Sequence, residues 1–300
     1  MCENITNKNL DIQNVTLLRN KFQTNIDNPP ISINKILISS KNINLNVIQD
    51  GLLMVGTKQR VITLFLKSII KKNKLIDTIL YAGSLNGFGA LAAAYGAKKL
   101  GITSMAFLTI NSDHIDKKIY HSRQITTLQA LNSQIYLCKN WNDTRLLEYK
   151  TSEDKNGKRL PNCYICPMGF NDEEGIMINL LVKQIKKATK NTILKNDEST
   201  RIWLVSGSGG IAMSINKALP KAKLFIKLTG GHKFKKNIVE WAKNKKNILL
   251  IKDDLKLENN NDSHLYYSST KNYDDLIFPY VKKYGKNNDF IWNVGSDDFL

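Results

Sequence analysis

Apolar residues in this chain fall mostly into short unbroken runs, parted by longer stretches where they recur every three or four positions. Leu45-Asn46-Val47-Ile48, Thr78-Ile79-Leu80-Tyr81, Met105-Ala106-Phe107-Leu108 and Ile135-Tyr136-Leu137-Cys138 read as buried strands, as does 162–166. The second half repeats the pattern at 202–205, 224–226, 248–251 and 290–294. Strands covered on both faces need continuous apolar runs, so these point to mostly parallel sheets with helices on each side. Helical spacing fills the gaps. Val61, Leu64, Phe65 and Ile69 predict one helix, 90–100 an alanine-rich one, 122–131 a polar one, and another starts near Ile211. Asn171, with Glu174 three residues on, is expected to cap a helix whose apolar face is Ile178, Leu181, Val182 and Ile185. The fold class is α/β, and no internal repeat is present. The first 28 residues are polar and asparagine-rich and are expected to form a flexible N-terminal arm.

Composition narrows the function. At 300 residues and 42% hydrophobic content the chain has material for one large or two smaller domains. No apolar run approaches the roughly 18 residues of a membrane span, and the N-terminus lacks a basic-then-apolar leader pattern. A cytoplasmic protein without a membrane partner is the expectation. The net charge of +18 raises nucleic acid as a partner. Its lysines, however, are dispersed over helix faces and loops. The densest groups, 183–190 and 233–246, are not interleaved with aromatics in the way base stacking wants. A lysine-, asparagine- and isoleucine-rich composition accounts for the charge, and nucleic acid is not favoured. Of the four cysteines, Cys163 and Cys166 make a lone C-x-x-C with no second pair or histidine pair at zinc spacing. No metal site is expected, and the cysteines are expected to stay reduced.

Three turns carry candidate chemistry. Ser206-Gly207-Ser208-Gly209-Gly210 joins a strand to a helix, a geometry that aims backbone N–H groups at one point and favours a phosphate. Read as a dinucleotide fingerprint it fails, because the end of the next strand, Lys227-Leu228-Thr229, has no acid for a ribose. Gly83-Ser84-Leu85-Asn86-Gly87 is a second strand-to-helix turn, with hydroxyl and amide side chains beside its N–H groups. Lys58 follows Gly56 and precedes an apolar helix. A partly desolvated lysine at such a junction is a nucleophile toward an aldehyde. A lysine, a Ser/Asn turn and a glycine-rich anion cradle together suit an aldehyde cofactor with a phosphate tail.

The run Asp50-Gly51-Leu52-Leu53-Met54-Val55-Gly56-Thr57-Lys58-Gln59-Arg60 resembles the cofactor-lysine segment of the tryptophan-synthase-β-like, fold type II, pyridoxal-phosphate (PLP) enzymes. It is most similar to the aminocyclopropanecarboxylate deaminase and D-cysteine desulfhydrase branch. Ser84-Leu85-Asn86-Gly87 looks like that family's Ser-x-Asn turn, Ser206 to Gly210 like its phosphate loop, and Cys166-Pro167-Met168-Gly169 like its Pro-x-Gly turn. The order agrees from about residue 29 to the C-terminus. Two motifs depart from the branch: Val294-Gly295-Ser296 replaces Thr-Gly-Gly, and Phe278-Pro279-Tyr280 only partly matches the segment with its active-site tyrosine.

The resemblance implies two open, mostly parallel α/β domains with the cofactor in the cleft. The large domain would comprise 29–66 plus 161–300 and the smaller one 67–160. It also implies an enzyme of lyase or deaminase type that works on a small amino acid by elimination or deamination. Lys58 would hold PLP as an internal aldimine. Asn86, Ser206, Gly207, Ser208, Gly209, Gly210 and Ser296 would bind the cofactor. Ser84, Leu85, Asn86 and Gly87 would meet the substrate. Lys58, Ser84 and Tyr280 would be catalytic, with Tyr266, Tyr267 and Tyr284 as rivals for the tyrosine. A homodimer is implied as well. Two other readings stand beside it: a PLP enzyme for an amino-acid-modified nucleotide or nucleic acid, and a catalytically degenerate PLP-binding member.

Overall fold

In the computed structural model, the described residues are 2–6, 12–24, 26–110, 119–120, 122–229, 232–251, 266–267, 269 and 273–296. Strands β1 (Cys2–Asn4), β2 (Ile33–Ile38) and β3 (Ile43–Ile48) precede the lysine turn, with helix α1 (Ile12–Thr24) after the first of them. Strands and helices then alternate as α2 (Ile62–Lys72), β4 (Thr78–Ser84), α3 (Phe88–Lys99), β5 (Thr103–Thr109), α4 (Arg123–Ala130), β6 (Gln134–Cys138), α5 (Trp141–Thr151) and β7 (Cys163–Ile165). The second half runs α6 (Ile176–Thr189), β8 (Arg201–Ser206), α7 (Gly210–Ala218), β9 (Lys223–Leu228), α8 (His232–Ala242), β10 (Ile248–Ile251), α9 (Phe278–Tyr284) and β11 (Phe290–Trp292). The continuous apolar runs became strands, buried in the sheet interiors and half-buried at the edges β7 and β10.

The chain divides into two compact units, Met1–Asp27 with Lys58–Asp172, and Asn28–Thr57 with Glu173–Asp298. The first holds a five-stranded sheet in the order β1-β6-β5-β4-β7, parallel except for the edge strand β1. The chain moves outward from β4 to β5 and β6, then returns to lay β7 on the other side of β4. That reversal puts the end of β4, and so the Ser84 turn, at a topological switch point, where α/β sheets bind ligands. The alanine-rich α3 is almost wholly buried, its small side chains letting it lie close to the sheet.

The second unit holds a six-stranded sheet in the order β10-β9-β8-β11-β3-β2, with only the β2–β3 pair antiparallel. Its switch point lies between β8 and β11. The connections β8-α7-β9-α8-β10 march one way, and β11 lies on the opposite side. An apolar cluster of Leu45, Val47, Trp203, Val205, Phe278 and Ile291 fills one face of this sheet.

Three expectations change. The first 28 residues carry β1 and α1 rather than a loose arm. α1 shows too few apolar positions to be read as a helix, yet Leu18 is buried and the helix packs on α4. Cys2 and Cys138 face each other across β1 and β6 and form a disulfide, whereas Cys163 and Cys166 are free thiols. Sequence spacing cannot reveal a pair 136 residues apart. Finally, α6 starts at Ile176 behind Gly175 in the left-handed region (φ 65°), so Asn171 does not cap it.

Candidate functional site

Lys58 lies in the single-turn helix Gly56–Arg60, at the foot of α2. Its neighbours are locked: Thr57 and Gln59 are fully buried and Arg60 nearly so, while Lys58 itself is half-buried. The Thr57 N–H donates to the Val294 carbonyl at 3.0 Å, and the Trp292 indole N–H donates to the Thr57 hydroxyl at 3.1 Å. On the other side the Gln59 amide donates to the Ile26 carbonyl at 2.8 Å. The residues on either side of Lys58 are thus each held by hydrogen bonds.

The same strand end carries Ser296. Beyond β11, Asn293 and Ser296 are fully buried. The Asp274 carboxylate accepts the N–H groups of Val294 and Gly295 at 3.0 and 2.9 Å. A Cβ added at Gly51 would lie 2.9 Å from the Gly295 carbonyl oxygen, so only glycine lets the segment before Lys58 pass this close.

The glycine loop leaves β8, the strand next to β11. Ser206 is buried and its carbonyl accepts the Thr229 N–H at 3.0 Å. Gly209 has φ +91°, which turns the chain sharply into α7 and aims the first-turn amides of that helix at the loop mouth. The Gly207 N–H donates to the Tyr273 hydroxyl at 3.1 Å. Tyr273 and Asp274 are adjacent, so one dipeptide bonds both the glycine loop and the segment leading to Ser296. Neither residue stands out in the sequence; the only trace is an aspartate pair just before an apolar helix.

In the first unit, Ser84 and Asn86 are exposed at the end of β4. The Gly87 N–H donates to the Ser84 carbonyl at 3.0 Å and the Leu85 N–H to the Thr109 carbonyl at 3.0 Å, which closes the turn. The Pro-x-Gly turn docks beneath it, the Gly169 N–H donating to the Tyr81 hydroxyl at 3.1 Å. Burial pushes the Tyr81 phenol up to about 12, so it stays neutral as an acceptor.

The tyrosines separate. Tyr280 is buried within the apolar cluster of the second unit, its hydroxyl taking a hydrogen bond from the buried Lys227 ammonium at 2.9 Å. Tyr266 and Tyr267 pack on Phe278, and burial raises the Tyr267 phenol further still. Tyr284 is exposed. Of these and Tyr273, only Tyr273 bonds the glycine loop among the described contacts.

The donor chemistry fits a phosphorylated aldehyde. The loop offers amides and hydroxyls and no carboxylate, Gly207 donates to an oxygen, and a buried serine follows the neighbouring strand β11. Among the described residues no His/Cys/Asp/Glu group is arranged for a metal. No described helix is long and apolar enough to cross a membrane.

No protein-family model and no curated protein matches the chain. Solved structures do. One described as an ACC deaminase homologue superposes with TM-score 0.63 at 13% identity, covering 96% of each chain. A hydrogen sulfide-producing enzyme from Fusobacterium nucleatum gives 0.60 at 16%, covering 91% of this chain and 98% of the other. Serine racemase from Dictyostelium discoideum gives 0.58 at 12%, covering 97% and 99%. At such identities the likeness concerns the fold alone: two α/β sheets with mixed parallel and antiparallel strands and interspersed helices.

Proposed function

We propose that this chain is a PLP-dependent enzyme acting on a small amino acid by elimination or deamination. The observation that carries the reading is the convergence within one sheet. The glycine loop after β8, Ser296 after β11 and the backbone of Thr57 beside Lys58 lie at one switch point, joined through Tyr273, Asp274 and Val294. The solved neighbours described as an ACC deaminase homologue and a hydrogen sulfide-producing enzyme share this fold and support the reading.

When bound, PLP would supply an electron sink for the substrate carbanion. The chain's own residues do the rest. The Lys58 amine would hold the cofactor by its aldehyde and would serve as the base or acid that moves a proton. Amides of Gly209 and Gly210 with the Ser206 and Ser208 hydroxyls would bind the phosphate, the Gly207 amide holding the Tyr273 hydroxyl beside them. Ser296 would serve the ring nitrogen, and Asn86 the ring oxygen. Ser84 would meet the substrate carboxylate from a turn that the Leu85 and Gly87 amides close. Tyr273 rather than Tyr280 serves the cofactor, because its hydroxyl is the one at the loop. A homodimer accompanies this reading, as the sequence resemblance implies.

The test is spectral. Purified protein with PLP should turn yellow, borohydride should bleach it, and the reduced adduct should map to Lys58 and vanish in Lys58→Ala. A panel of small amino acids should then release ammonia or sulfide. Protein that stays colourless, or an adduct on another lysine, overturns the reading.

A further inference from the structure

We propose that the Cys2–Cys138 bridge is a thiol-exchange site, a reversible latch on the N-terminal segment that a low-molecular-weight amino-acid thiol opens. The two residues are direct partners across β1 and β6. They differ in access. Cys138 is fully buried, whereas Cys2 is partly exposed. A cavity of about 340 Å³ opens beside Cys2, lined also by Asn4, Tyr136, Asp143, Leu147 and Lys150. Lys150 and Asp143 provide a cation and a carboxylate, the complements of the carboxylate and ammonium of a cysteine-type thiol. Leu147 and Tyr136 provide apolar surface for its stem.

Access sets the order of events. The small thiolate attacks the Cys2 sulfur, a bond forms between them, the bond to Cys138 breaks, and Cys138 leaves with the electron pair and takes up a proton. A second small thiol attacks the mixed disulfide and releases Cys2 as a thiol. In sum the bridge gains two electrons and two protons, and two small thiols become one small disulfide. The reverse exchange closes the latch. Burial holds the Cys166 thiol well above the usual range and raises Cys163 as well, so neither competes as a thiolate.

What the latch holds is visible along the first unit. β1 is a three-residue edge strand, with few hydrogen bonds of its own to keep it paired. After it the Ile5 N–H donates to the Ile135 carbonyl and the Ile135 N–H to the Thr6 hydroxyl, both at 2.9 Å. Further on, the Phe22 ring stands edge-on to Tyr95 at 5.3 Å, and the Tyr95 hydroxyl donates to Asp27 at 2.9 Å. The Ile26 carbonyl then accepts the Gln59 amide, one residue from Lys58. A segment bonded to Cys138 at one end thus terminates beside Lys58 at the other. Any consequence for Lys58 rests on reading it as the cofactor amine.

The experiment equilibrates the full chain in mixtures of reduced and oxidised glutathione, blocks thiols with an alkylating agent and reads each cysteine by mass. Cys2 and Cys138 should gain and lose label together, with the glutathione adduct on Cys2 at intermediate ratios. Trypsin should cut after Arg19 and Lys21 at least threefold faster in the reduced chain, and equally fast in Cys2→Ser under either condition. A bridge that glutathione never opens, an adduct on Cys138, or cleavage indifferent to redox state overturns the proposal. Borohydride trapping of PLP at Lys58 should fall severalfold on reduction. If no PLP is trapped at Lys58 in either state, that cofactor reading fails, and the thiol and cleavage data alone decide the latch.

Discussion

The Tyr273 hydroxyl accepts the Gly207 amide at 3.1 Å, so a phenol sits on the donor that an anion oxygen would seek in the glycine loop. The adjacent Asp274 binds the two amides that lead into Ser296. Two neighbouring side chains therefore tie the glycine loop to the segment that carries Ser296.

Tyr273→Phe should weaken PLP retention about five- to tenfold, the worth of the hydrogen bond that its O–H would give the phosphate while it accepts the Gly207 amide. Tyr280→Phe should leave retention unchanged and lower stability by about 1 kcal/mol, because it removes an acceptor from the buried Lys227 ammonium. Fluorescence or absorbance titration with PLP, beside urea unfolding, separates the two tyrosines. A reversed pattern would return the site to Tyr280.

Asp274→Ala should cost about 2–4 kcal/mol, since two buried amides lose a charged acceptor at once. Equilibrium urea unfolding measures the loss. Added PLP should recover less stability in this variant than in the parent chain if Ser296 is displaced with it.

Gly51→Ala tests the close approach of the lysine segment to β11. The new methyl would crowd the Asn293 side chain and the Gly295 carbonyl oxygen. A loss of about 2–3 kcal/mol is expected from overpacking at buried backbone. Thermal unfolding reads it, and an unchanged melting temperature would mean the segment shifts freely.

Glu148 predicts a pH dependence. Its carboxyl is buried on α5 beneath β4 and is pushed up to about 7 by burial, against the pull of the Arg145 guanidinium and the Ala82 amide. Arg159 also draws it down, while Tyr81 and Cys166 lie near enough to feel its charge. A carboxyl raised in the folded state takes up a proton on folding. Its favourable contribution is therefore complete below about pH 4.5 and is lost as pH rises through about 7. Glu148→Gln should accordingly raise stability by about 2 kcal/mol at pH 8 and change little near pH 5. Urea midpoints at the two pH values decide it.

Much of this was written in the chain's own pattern. Runs such as 202–205 and 105–108 became buried parallel strands because only a strand covered on both faces tolerates unbroken apolar sequence. The lysine turn, the Ser84 turn and the glycine loop announced themselves by residue type and by their places at strand ends. β1, α1 and α5 were missed for the opposite reason. Their local pattern is weak, and pairing with β6, packing on α4 and packing on β4 hold them in place.

Sequence alone determined the α/β class, the positions of the strands and the three polar turns, since these follow from spacing and backbone freedom within a few residues. Tertiary structure decided which tyrosine bonds the glycine loop, that Asp274 braces Ser296, that Tyr280 belongs to the core, and that Cys2 reaches Cys138. Each of those depends on side chains separated by 20 to 136 residues meeting across neighbouring strands, and their contacts leave no local period to read.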